Sequence, residues 1–142
     1  MEKKYFKFAE EAYKTSSILY ENGRYHNSVY FGGYVLEGYL KVLLVLYYSG
    51  MTETEIPDLL KHSPNTHLRN LIGISAKKRT KIKVDEYIFI KSEIKKLFEW
   101  HPGSRYEIEI WDDEKLSKII QNEIKILLKK MYKLKSKGII KI

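Results

Sequence analysis

Tyr5, Phe8, Ala9, Ala12, Tyr13, Ser16, Leu19 and Tyr20 recur at the spacing of one face of an α-helix. The pattern predicts a first helix over about 4–21, stopped by Asn22-Gly23. From Tyr25 to Tyr48 the chain is apolar on nearly every face, which predicts a central helix whose formal charges are Glu37 and Lys41. "TETEIPDLLKH" reads as a short helix starting near Thr54, with Pro57 tolerated in its first turn. In "SPNTHLRNLIGIS", Asn65 or Thr66 can cap a second short helix, so the two form an elbow. Val84, Tyr87, Ile88, Ile94, Leu97 and Phe98 predict a helix over about 84–99, broken by "HPGSRYE". The alternation in "YEIEIW" suggests a short extended piece. Asp112 or Asp113 can then cap a last helix bearing Leu116, Ile119, Ile120, Ile124, Leu127, Leu128 and Met131.

These elements make an all-α chain: an up-and-down antiparallel helical bundle of three to four long helices plus the short elbow. Its 142 residues suit one domain, taken as 1–134, followed by a basic C-terminal tail at 135–142 that reads as loose or partner-bound. A helix apolar all round belongs at the centre of the bundle or in a homodimer interface. The rival reading of that run is a membrane span, but its glycines, Glu37 and Lys41 interrupt it. Gly32, Gly33 and Gly38 do not form a phosphate loop, because no strand precedes them and no Lys-Ser/Thr follows. Close approach of another helix is the compensation expected for glycines placed there.

Composition narrows the chemistry. The chain has no cysteine, which excludes disulfides, thiolate zinc sites and a cysteine nucleophile and fits a cytoplasmic location. His26, His62, His67 and His101 have no recognised zinc spacing, so neither a metal nor another cofactor is expected. The opening "MEKKYFKFAEEAYK" lacks the apolar run of a signal peptide and reads as mature helix. A net charge of +8 makes an anionic partner plausible. Two basic clusters could meet it: Lys77, Lys78, Arg79, Lys81 and Lys83 in one, and the lysines from Lys125 to Lys141 interleaved with Tyr132 in the other.

Glu37 and Lys41 stand at i and i+4 with the acid first, the order that favours an ion pair on one helix face. Their apolar neighbours imply partial burial, and a partly buried pair needs further polar partners to offset desolvation. Arg105 and Tyr106 are the candidates, giving a polar cluster that is either a structural link between helices or a ligand or RNA contact.

The stretches "GRYHNSVYFGGYVLEGYLK", "THLRNL" and "WHPGSRYE", in that order and spacing, resemble HEPN domains across residues 5 to 130. The resemblance implies a helical bundle, commonly a homodimer, in proteins tied to nucleotide or RNA transactions. It further implies a nucleotidyltransferase partner and a role in toxin-antitoxin or defence systems. Many HEPN ribonucleases are metal-independent and use an Arg followed four to six residues later by His. None of Arg24, Arg69, Arg79 and Arg105 is followed by such a histidine, which moves the expectation to a binding or regulatory member. The alternatives are a metal-independent endoribonuclease with a rearranged site built from His67, Arg105 and His101, or a structural dimerisation module. In the bland readings Arg105 pairs with Glu37, His67 holds the elbow against the central helix, and His101 is a loop residue.

Overall fold

A computed structural model describes residues 2–47, 93–99, 102–138 and 140. The expected elbow, the basic stretch 77–83 and most of the helix expected over 84–99 lie outside the described residues. Among the described residues four helices pack together: α1 (Glu2–Glu21), α2 (Tyr25–Tyr47), the single turn α3 (Ile108–Trp111) and α4 (Glu114–Ser136). Two 3₁₀ turns, Leu97–Glu99 and Pro102–Tyr106, precede α3, and no strand occurs among the described residues.

α1 ends where Asn22-Gly23 predicts. Gly23 adopts φ 72°, a left-handed conformation cheap only for glycine. The chain then turns back, with the Arg24 amide bonding the Leu19 carbonyl at 2.8 Å. α2 runs antiparallel to α1, as Ser16 meets Ser28 near the turn and the Tyr5 ring meets Lys41 near the far end. α4 is also antiparallel to α1, because Ser17 meets Gln121 while Glu10 meets Tyr132. α2 is therefore central and packs against α1, α3, α4 and both 3₁₀ turns.

The glycines of α2 permit that packing. A Cβ on Gly38 would stand 2.8 Å from the Ala9 Cβ and 3.1 Å from the Tyr5 carbonyl, so α1 crosses at near-backbone contact. On the other side, a Cβ on Gly32 would meet Ile120 of α4 at 3.0 Å. The core between the three long helices holds Phe6, Ala9, Val35, Leu36, Leu40, Ile120, Ile124 and Leu127, all essentially without solvent contact.

Three details differ from the sequence pattern. Phe6 is buried against Tyr132 at 5.5 Å, whereas Phe8 is 41% exposed and lies edge-on to Tyr34. The YEIEIW stretch closes a helical turn instead of extending. Trp111 is buried and its Nε1 donates to Glu107 four residues earlier at 3.3 Å, while Ile108 and Ile110 have no strand to pair with among the described residues and stay exposed. Finally, α4 continues through Ser136, and Gly138 at φ 74° returns the chain so that Ile140 is buried and its amide bonds the Leu134 carbonyl.

Candidate nucleic-acid interface

α4 starts where Asp113 caps it, its carboxylate accepting the Leu116 amide at 2.9 Å. From that start the register separates two chemistries. Ile120, Ile124, Leu127 and Met131 point into the core. Lys115, Lys118, Lys125, Lys129 and Lys133 are exposed, and at the helical turn per residue they fall within an arc of about 80° opposite that core face. Ion pairs among the described residues join Glu11 to Lys14, Glu37 to Lys41, Glu93 to Lys130 and Glu99 to Lys96. None of them uses the five lysines, so no contact acid among the described residues cancels the positive potential of this face.

Where that face meets α1 there is a groove of about 250 Å³, lined by Tyr13, Tyr20, Glu21, Lys118, Asn122 and Lys125. Its floor is a polar knot joining three helices. Ser16 Oγ donates to the Ser28 carbonyl at 2.6 Å and Ser28 Oγ donates to the Ser16 carbonyl at 2.7 Å. Gln121 Nε2 donates to Ser16 Oγ at 2.6 Å and to Ser28 Oγ at 3.1 Å, while its Oε1 accepts from Ser17 Oγ at 3.1 Å. Both amide atoms of Gln121 are thus committed to holding α1, α2 and α4 in register. Below the groove, the Tyr132 hydroxyl donates to Glu10 at 2.5 Å, and this bond, ahead of burial and the Glu10 charge, pushes its pKa to about 12. Tyr132 therefore ties α4 to α1 and stays protonated at physiological pH.

The predicted polar cluster is present in part. Glu37 and Lys41 form the expected pair at 3.1 Å, with side chains 20% and 17% exposed. The further partner of Lys41 is the Tyr5 ring, 5.5 Å from Nζ, which offsets desolvation from within the α1–α2 contact. Tyr106 is 76% exposed. Its 3₁₀ turn is fastened to the first turn of α2, where His26 Nε2 donates to the Ser104 carbonyl at 2.8 Å. That anchor lies about 16 Å along the helix axis from Glu37. The structure therefore brings Glu37, Lys41 and Tyr5 together and places the turn that holds Tyr106 at the start of α2. The Arg105 side chain, His67, His101 and the cluster Lys77, Lys78, Arg79, Lys81 and Lys83 lie outside the described residues. Among the described residues, no group of three His, Asp or Glu side chains is placed to hold a metal ion, and no helix is long and apolar enough to cross a membrane.

A cavity of about 340 Å³ also opens at the start of α2, beside Arg24, His26 and Asn27. Asp112 lines it too. Burial, and then the negative charge of Glu114, hold the nearby Tyr25 hydroxyl above its usual pKa, with smaller contributions from Tyr20 and Asp112. The acids make this end of the molecule a poorer anion site than the lysine face of α4.

Glu123 is the site residue that the apolar pattern of α4 hides. It is 6% exposed and accepts the Lys96 amide at 2.8 Å and the Leu97 amide at 3.2 Å, capping the first 3₁₀ turn from a different helix. Burial pushes its carboxyl up from 4.5 to about 7; the two amide bonds oppose the shift, Glu99 adds to it and Lys96 reduces it. Its spacing held the signal, since it stands three residues after Ile120 and four before Leu127, both in the core. No protein-family model, curated protein or solved structure matches this chain.

Proposed function

We propose that this chain is a HEPN-type module that binds RNA or nucleotide phosphates on the outer face of α4 without cleaving them. The carrying observation is the single arc of five exposed lysines that have no acid partner among the described ion pairs. Lysine is a mobile point charge, so such a row suits a repeating phosphate backbone better than one fixed anion. The non-catalytic half of the proposal rests on sequence: no arginine is followed four to six residues later by histidine. A homodimer and a nucleotidyltransferase partner, in a toxin-antitoxin or defence setting, belong to the same proposal through the resemblance of the central helix to HEPN domains.

The test is binding of a labelled single-stranded RNA followed by fluorescence anisotropy across a salt series. Five phosphate contacts predict that log Kd rises with log salt at a slope of about 3.5, from ~0.7 per contact on a single strand. Binding that ignores salt would contradict the proposal. The same RNA should stay intact in chelator; cleavage that disappears in Arg105→Ala would replace the binding module with a metal-independent ribonuclease.

A further inference from the structure

The groove between α1 and α4 has a regular arrangement that a solvated charged face does not require. Ser17 and Gln121 are bonded across it at 3.1 Å, and the two helices are antiparallel. Stepping three residues from that bond along each helix sets Tyr20 level with Lys118. Stepping four residues the other way sets Tyr13 level with Lys125. A tyrosine and a lysine thus stand level across the groove twice, about 10 Å apart along it. The rings are braced rather than free: Tyr20 packs on Tyr25 at 5.8 Å, and Tyr13 is partly buried against the core.

We propose that this groove takes one unpaired base of a single-stranded RNA, stacked on Tyr20 or Tyr13, with the flanking phosphates on Lys118 and Lys125. The inference rests on the phosphate-binding reading of α4 and adds which form of nucleic acid it selects. Four features set the occupant. Tyrosine rings offer a stacking surface to any base, so recognition is tolerant of sequence. The volume, about 250 Å³, is below the ~300 Å³ at which pockets for whole drug-sized ligands begin, so the groove holds a ring while the backbone stays outside. Glu21 is the acid on its rim, and a carboxylate there accepts from a ribose 2′-hydroxyl, which DNA lacks. Asn122, also on the rim, offers an amide to a base edge. A duplex keeps its bases stacked inside and offers the groove no ring.

The experiment compares one labelled single-stranded RNA of about 12 nucleotides, within the range such sites span, with its duplex and with single-stranded DNA of the same sequence. The expected order is single-stranded RNA tighter than either. Tyr20→Leu and Tyr13→Leu together should weaken the RNA about five-fold or more, whereas Tyr20→Phe with Tyr13→Phe, which keep the rings, should bind like the native chain. Glu21→Ala should bring the RNA-to-DNA preference toward one while raising affinity for both through the lost negative charge. Unfolding curves for the Leu pair and the Phe pair, measured alongside, separate loss of stacking from loss of fold. If the Leu pair binds as the native chain does while Lys118→Ala with Lys125→Ala weakens binding, the base groove is overturned and the phosphate face stands. Equal affinity for the duplex also overturns the groove. If the native chain binds no RNA at any salt concentration, both readings fall.

Discussion

The two faces of α4 do different work although the same residue spacing builds both. The inner face inserts Ile120, Ile124, Leu127 and Met131 between α1 and α2, where each is without solvent contact. The outer face displays five lysines. A large-to-small change inside removes buried apolar surface and leaves a cavity, while a charge change outside alters the field and little else. Stability and binding should therefore separate cleanly along this one helix, and variants of either face test whether they do.

The largest effect belongs inside. Ile124→Ala should destabilise the protein by about 2–5 kcal/mol in urea unfolding, with RNA affinity per folded molecule unchanged. Gly38→Ala comes next, because the added methyl meets the Ala9 Cβ at 2.8 Å and backbone at 3.1 Å. Overpacking of about 1–3 kcal/mol should exceed the ~1 kcal/mol gained from replacing a helical glycine, for a net loss.

Glu123 joins the two faces, being a charge on the buried side. Its folded pKa, about 7, lies above the unfolded 4.5, so the native state binds the extra proton between those values. The group's stabilising contribution is fully present below 4.5 and is lost as pH rises through about 7. Glu123→Gln keeps an acceptor for the Lys96 amide without the charge. It should flatten the pH dependence of stability in that window and gain about 1–2 kcal/mol above it, a figure reduced from the full shift for solvent near the carboxylate. A native chain whose stability is level across the window would show that Glu123 is not held in this way.

Much of the bundle was legible because its signals are local. The Asn22-Gly23 stop, the Asp113 cap and the apolar run of α2 each act within a few residues, and all appear where the sequence puts them. The close approaches at Gly32 and Gly38 were legible too, since a glycine inside a helix needs a compensating contact. Tertiary choices were not. Whether Phe6 or Phe8 turns inward depends on where α4 lies, and in the fold Tyr132 and Lys135 lie against Phe6. Alternation in YEIEIW is a strand signal only with a neighbour to pair with, and the Trp111–Glu107 contact instead favours a helical turn. Glu37 and Lys41 paired as their spacing implied, but their third partner was Tyr5 on the adjacent helix, which nothing along α2 specifies. Lys115 and Lys118 belong to the basic face although they precede the lysine run that starts at Lys125, because the arc is defined by helical angle and not by density along the chain.

The central claim is that the outer face of α4 grips RNA phosphates. The most direct measurement is a salt series of RNA binding for the native chain and for a variant carrying Lys118→Ser, Lys125→Ser and Lys129→Ser. The claim predicts an unfolding free energy within about 1.5 kcal/mol of native for the three surface changes together, weaker binding at every salt concentration, and a slope of log Kd on log salt reduced by about 2, from ~0.7 per lost contact. An unchanged slope and affinity in that variant would contradict it.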